Sequence, residues 1–220
     1  MTDNVIFNYS SRAKKISLTI KQGKIVLTIP SNKGLEERAL SFLELHFESL
    51  NHKLQKFNKV SLKIGSMINL LGNKYHVCLD KDEESISIKL YDNQLLIPSI
   101  MYEEEEKYIK KFLSFYLKQK ITVMADSLCS KLNISYKKIS VKQLKTKWGS
   151  CSSEGNLSFN WQLVLFNANI LEYVVVHEVC HLKYLNHSQK FWQLVQNHCP
   201  HWMEARRWLK LEGIYFVITS

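Results

Sequence analysis

Two histidines four residues apart give this chain its clearest chemical signal. His177 and His181 follow the apolar run 173–176, and in a helix, at about 100° per residue, both imidazoles fall on one face, one turn apart. Such a pair can hold one metal ion. Glu178 adjoins the first histidine, so its carboxylate flanks the metal position as a general base for water. The pattern predicts a metal-dependent hydrolase, and packing histidines are the alternative.

A third ligand is needed, because a catalytic zinc ion takes three protein ligands and leaves one position open. His187 is the natural candidate, but in a continuous helix it would lie about 15 Å along the axis from His177. The helix must therefore end first. Asn186 tolerates the left-handed conformation that stops a helix, and Ser188 can cap the next one. Glu204, or another downstream carboxylate, is the alternative third ligand.

The type of metal follows from the type of ligand. Three neutral imidazoles suit Zn²⁺ well, although iron and manganese also accept such ligands. Zn²⁺ is therefore the predicted cofactor.

A second motif is the segment Lys147-Trp148-Gly149-Ser150-Cys151. Glycine between a large aromatic residue and small polar residues indicates a close approach of backbone. The strand after the motif could be a sheet edge that pairs with an extended peptide, or the motif could be a tight corner with Trp148 in the core. The residue types slightly favour the corner. Nothing local lowers the pKa of Cys151, which favours a packed thiol over a nucleophile.

Hydrophobic periodicity predicts the elements that position these residues. In the first hundred residues the predicted elements are a hairpin over 15–29 that turns at Gln22-Gly23, a helix over Leu35–Phe57, and hairpins that turn at Gly72-Asn73 and Asp92-Asn93. After Pro98 they are a helix over 103–131, a short strand with Ile139 and Val141, a strand over Leu157–Phe166, and helices over Ile170–Tyr184, Gln189–His198 and Trp202–Leu211.

The predicted elements indicate an α+β class. A β-rich N-terminal region with one long helix is expected over residues 1–100, and the catalytic domain over 101–220. With 220 residues and 45% hydrophobic residues the chain can build a real core, which argues against disorder.

The charge and the cysteines indicate which partners and which cellular compartment to expect. The net charge is +10, and lysine supplies nearly all of the excess. Because nucleic-acid readers usually rely on arginine, a solvated lysine-rich surface is favoured, with weak nucleic-acid association as the alternative. Five cysteines without a Cys-x-x-Cys pair read as reduced thiols. Without a leader pattern or an apolar run of spanning length, the sequence predicts a soluble cytoplasmic protein with no membrane partner.

Taken with these motifs, the chain resembles the YgjP-like metallopeptidase family and, more distantly, the SprT-like and WLM peptidases. The segments that carry the resemblance are Ser11–Leu18, Lys147–Ser152, Tyr173–Trp192, Pro200–Trp202 and Arg206–Leu209. The resemblance implies a zincin-like fold, zinc bound by His177, His181 and His187, Glu178 as the catalytic residue, and a peptide or protein substrate. Metzincins carry glycine where Tyr184 stands, so that group is disfavoured.

Two alternative functions stay open. The first is a metal-dependent nucleotide phosphohydrolase, which is weakened because no Gly-rich loop precedes a helix to bind phosphate. The second is a DNA-associated protease of the SprT-like kind, which the basic charge and the distant resemblance would allow.

Overall fold

The computed structural model describes residues 5–21, 24–31, 34–55, 58–213 and 216–219. Within these ranges the strands are β1 (Val5–Ser10), β2 (Ser17–Lys21), β3 (Lys24–Pro30), β4 (Asn58–Ser61), β5 (Met67–Leu70), β6 (Asn73–Leu79), β7 (Lys89–Tyr91), β8 (Gln94–Ile97), β9 (Lys138–Lys142), β10 (Gly149–Cys151), β11 (Asn156–Asn160) and β12 (Phe216–Thr219). The helices are α1 (Glu36–Gln55), α2 (Glu105–Leu132), α3 (Ala168–Cys180), α4 (Gln189–His198) and α5 (Trp202–Leu211), with 3-10 helices at Ser99–Glu104 and Trp161–Leu165. The predicted α+β class is confirmed.

The chain divides into two compact units. The first comprises the chain up to Val60 together with Glu212–Thr219, and the second comprises Ser61–Leu211. The predicted division into a β-rich N-terminal region over residues 1–100 and a catalytic domain over 101–220 stays a prediction.

The first unit is built on a three-stranded sheet. β3 lies in its centre, parallel to β1 and antiparallel to β2, so the predicted hairpin is confirmed in its strands, while Gln22 and Gly23 lie outside the described residues. α1 confirms the predicted long helix, whose expected last residue, Phe57, is also outside them. Alternate residues of β3 and one face of α1 form the core of this unit: Ile25, Leu27, Ile29, Ala39 and Leu43.

The first sheet of the second unit has the strand order β5-β6-β8-β7. β5 pairs with β6, and β7 with β8, in antiparallel hairpins, as predicted. The second hairpin turns at Asp92 and Asn93, whose φ angles of 45° and 58° are those of a type I′ turn. The first turns at Leu71 and Gly72, with φ angles of 52° and 98°, which is one residue earlier than predicted.

α2 is the longest helix among the described residues of the second unit, and it packs against α3 and β9. Its buried stripe repeats every four residues, as expected for one helix face: Ile109, Leu113, Leu117, Ile121 and Ala125. The helix ends at Asn133, which adopts the left-handed conformation (φ 51°) common after helix C-termini. The predicted helix is confirmed.

The second sheet, with strand order β10-β11-β9, packs through β10 against α3. The predicted strand over Leu157–Phe166 is wrong in its second half, because β11 stops at Asn160. The Asn160 side chain accepts a hydrogen bond from the Gln162 N–H and donates one to the Leu144 carbonyl. These bonds turn the chain into a 3-10 helix, where the apolar run is buried.

The C-terminal helices follow the predicted periodicity. α4 and α5 have the predicted bounds, but α3 ends at Cys180, four residues before the predicted end. Across the described ranges, no helix combines the length and the apolar character needed to cross a bilayer.

Candidate metal centre

The end of α3 sets the spacing of the two motif histidines. His181 follows the last helical residue with φ −66° and ψ −22°, still in the α region, and its N–H donates to the His177 carbonyl at 3.3 Å. The two imidazoles therefore stay one turn apart, with ring centroids separated by 4.8 Å. The predicted shared face is confirmed.

The chain then leaves the helix through a tight turn. The Tyr184 N–H donates to the Cys180 carbonyl at 3.0 Å. The predicted left-handed stop at Asn186 is wrong, since this residue is not among the non-glycine residues of positive φ in the described chain. Its side-chain oxygen instead accepts from the Ser188 N–H at 3.3 Å. Ser188 precedes α4 at the predicted capping position, without a side-chain cap bond.

This turn brings His187 back to the other two histidines. Its Nε2 lies 3.1 Å from Nε2 of His177, and one ligand atom from each of the three histidines lies within 4.8 Å of the others. Tetrahedral zinc with Zn–N bonds of about 2.0–2.1 Å places its nitrogens about 3.3 Å apart, so the three residues fit one metal ion. Within the described residues Glu204, the alternative third ligand, is not part of this group.

The protonation states of the three histidines favour metal binding. The Tyr184 carbonyl lies 2.9 Å from Nδ1 of His181, and because a carbonyl only accepts, the proton sits on Nδ1 and Nε2 is free. Burial lowers the pKa of His177 to about 3, assisted by His181, His187 and the charge of Arg206. Burial and the charges of His181 and Arg206 also lower the pKa of His187.

Two aromatic residues of α4 back the histidines. Phe191 is fully buried, with its ring centroid 5.0 Å from His177, 4.5 Å from His181 and 4.8 Å from His187. Trp192 stacks on His187 at 5.3 Å. Because His187 is exposed, the group has an apolar wall on one side and access to solvent at His187.

Glu178 is buried, with 6% of its surface exposed. It lies against Gly149 of β10, where an added Cβ would stand 2.6 Å from its Oε1. The predicted close approach at Gly149 is confirmed, although its partner was not predicted. Burial raises the pKa of Glu178 to about 8, and the charge of Lys147 opposes that rise. A carboxylate that titrates near neutral pH can both accept and release a proton.

Two further residues near the three histidines were not predicted as site residues from the sequence. The Tyr173 hydroxyl lies 3.4 Å from Nδ1 of His177, and its position four residues earlier on the same helix face was a usable signal. Arg206 of α5 lies 4.9 Å from the Trp192 ring centroid and lowers the pKa of His177 and His187. Its place depends on helix packing, which leaves no local signal.

The glycine motif is both a corner and an edge. β10 lies at the edge of its sheet, and the strand after it, β11, is central. The alternative in which the strand after the motif is the edge is therefore wrong, because the edge is the motif's own strand. Trp148 is half-buried and meets Phe166 edge to face at 4.9 Å. Burial and the charge of Glu178 raise the pKa of Cys151 to about 11, as expected for a thiol that is not activated.

Comparison with known proteins identifies the class of enzyme as a metallopeptidase. The chain belongs to the YgjP-like metallopeptidase domain family, whose model matches residues 14–212. The family implies a metal ion and a peptide substrate, so the resemblance noted from the sequence is confirmed at this level.

Two solved structures are similar to parts of the chain, and both are described as metallopeptidase zymogens. Jannalysin of Methanocaldococcus jannaschii is 27% identical, with 41% of this chain and 87% of jannalysin covered and a TM-score of 0.37. Abylysin of Pyrococcus abyssi is 18% identical, with 45% and 99% covered and a TM-score of 0.36. No curated protein matches the sequence.

Proposed function

We propose that this metallopeptidase is a zinc enzyme of the zincin type, in which His177, His181 and His187 bind the metal ion and Glu178 is the general base. The observation that carries the proposal is the convergence of three imidazoles, with the buried Glu178 directly after the first of them in sequence. Their ligand atoms lie within 4.8 Å of one another, and the family match supplies the peptidase activity.

Each residue has a separate task in the proposed reaction. The three histidines would hold a zinc ion, which would supply a Lewis acid to acidify water and polarise a carbonyl group. Glu178 would accept the proton of the attacking water and pass it to the leaving amine, the role of a buried carboxylate held next to the metal ligands in sequence. Tyr173 orients His177 through its hydroxyl, which lies 3.4 Å from Nδ1.

The edge strand β10 is the proposed platform for the substrate. A strand at a sheet edge offers unpaired N–H and C=O groups, to which an extended peptide can add as a further strand. Gly149 of β10 also contacts Glu178, so a peptide on this edge would run beside the general base.

Metal content and peptide hydrolysis, measured on the same preparations, test the proposal. We expect His181→Ala to lose one zinc equivalent relative to wild type together with hydrolysis. Glu178→Gln should keep the metal and lose about 10²–10⁴-fold in rate. Glu204→Gln, which changes an exposed carboxylate outside the histidine group, is the control that should keep both.

Unchanged turnover in Glu178→Gln with the metal retained would overturn the role of this residue. A nucleotide panel and a DNA gel shift at low salt test the two alternative functions. Hydrolysis of a nucleotide but of no peptide would overturn the peptidase proposal for this site.

A further inference from the structure

A second group of metal-ligand types lies apart from the three histidines. It consists of Glu172 on α3, Cys199 just after α4, and His201 just before α5. One ligand atom from each lies within 4.8 Å of the others. The His201 Nε2 is 3.2 Å from the Glu172 Oε2 and 3.6 Å from the Cys199 Sγ.

These separations match tetrahedral zinc. With Zn–S of about 2.3 Å, Zn–N of about 2.0–2.1 Å and Zn–O of about 2.0–2.2 Å, tetrahedral geometry places S and N about 3.6 Å apart and N and O about 3.4 Å apart. An ordinary polar contact would explain the short distance between the side chains of His201 and Glu172. It does not require a buried sulfur at the same imidazole nitrogen, which is where Cys199, with 0% of its surface exposed, has its thiol.

The three side chains differ in access. The His201 and Glu172 side chains are 36% and 41% exposed, so an ion can enter from solvent, while the sulfur forms the inner side. Burial and the negative charge of Glu172 raise the pKa of the Cys199 thiol to about 11. A bound divalent cation would lower the pKa of this thiol again, because it stabilises the thiolate and balances the negative charge of the carboxylate.

We propose that Glu172, Cys199 and His201 form a second metal site, selective for a thiophilic divalent ion such as Zn²⁺. Sulfur and imidazole ligands favour such ions over Mg²⁺ and Ca²⁺. Three protein ligands leave one position for water, so the ion should bind more weakly than in a closed four-ligand structural site.

A metal ion at this second site would stabilise the packing that supports His187. It joins α3 to the connection between α4 and α5, and His201 is followed directly by Trp202. That ring stacks on Trp192 at 4.5 Å, and Trp192 stacks on His187 at 5.3 Å. Occupancy of the second site is thereby linked to the packing behind the candidate metal centre, without a shared ligand.

Cobalt titration of the metal-free protein separates the two sites, because a cobalt–thiolate bond gives a near-ultraviolet charge-transfer band that a three-histidine site cannot give. We expect wild type to show this band, with an intensity at saturation that corresponds to one thiolate-bound cobalt ion per chain. His181→Ala should keep it, and Cys199→Ser should lose it. Cys151→Ser, which removes a half-buried thiol beside Glu178, is the matched control and should keep the band.

Two milder variants guard against a loss of folding in Cys199→Ser. Glu172→Gln and His201→Gln change partly exposed side chains and should weaken the cobalt affinity measured by the band at least tenfold. Absence of the band in wild type, or its survival in Cys199→Ser, would overturn the second site. The outcome is independent of the proposed function, because loss of metal from His181→Ala reports on the other site alone.

Discussion

Gly149 leaves no room for a side chain beside Glu178. The Cβ of an alanine would stand 2.6 Å from Oε1 and 2.7 Å from Cγ of the glutamate. Carbon atoms pack comfortably at about 3.5–4.0 Å, so the carboxylate would have to retreat by about 1 Å. Overpacking of a buried position costs about 1–3 kcal/mol, and a catalytic group misplaced by about 1 Å can cost about 10²-fold in rate.

We therefore expect Gly149→Ala to lower the free energy of unfolding by about 1–3 kcal/mol and hydrolysis by about 10²-fold, with metal content unchanged. All five tryptophans lie within the Ser61–Leu211 unit. Tryptophan fluorescence during urea denaturation of the metal-free protein thus reports on the unit that holds the substitution.

A double-mutant cycle identifies the origin of the cost. Glu178→Gln keeps the shape of the side chain, so Gly149→Ala should cost as much in that background as in wild type. Glu178→Ala removes Cγ, Cδ and Oε1, so the cost should fall below about 0.5 kcal/mol. An undiminished cost in the Glu178→Ala background would refute the reasoning.

Three further predictions follow from the described contacts. Because burial raises the pKa of Glu178 from 4.5 to about 8, its contribution to the stability of the metal-free protein is complete below about pH 4.5 and is lost as the pH rises through 8, a change of about 5 kcal/mol. Urea denaturation of wild type and Glu178→Gln at about pH 5 and about pH 9 measures most of this change, and parallel pH profiles for the two proteins would contradict it. Tyr173→Phe removes the hydroxyl 3.4 Å from Nδ1 of His177 and should weaken zinc binding about 10–100-fold in chelator competition, so unchanged affinity would show that the hydroxyl does not orient the ligand. Asn93→Gly relieves a left-handed φ of 58° and should stabilise the Asp92 turn by about 0.5 kcal/mol, visible as a higher Tm, whereas a lower Tm would show that the asparagine side chain stabilises the turn.

Local pattern was sufficient where the structure depends on neighbours in sequence. The bounds of α4 and α5 follow from helical periodicity, and the type I′ turn follows from Asp92-Asn93. The shared face of His177 and His181 needs only the helix repeat. These features could be predicted because each is fixed within a few residues.

Features that depend on distant parts of the chain could not be predicted. The apolar run after Asn160 suits a buried strand or a buried helix equally well, and the hydrogen bond from Asn160 to Leu144 decides between them. β1 pairs in parallel with β3, and no turn signal in the sequence predicts this pairing. Contact between Gly149 and Glu178 likewise requires β10 and α3 to be packed together.

The three converging histidines and the ring behind them all come from one short segment, His177–Phe191, whereas the cover of Glu178 comes from Gly149 on a separate strand. The three candidate ligands thus lie close together in sequence, so bringing them together costs little loop-closure entropy. Hydrolysis belongs to the assembled unit. If the proposed function holds, mild denaturation should therefore abolish hydrolysis before the metal ion is lost, and an isolated peptide over the histidine segment, which lacks Tyr173, should bind the ion more weakly and without activity.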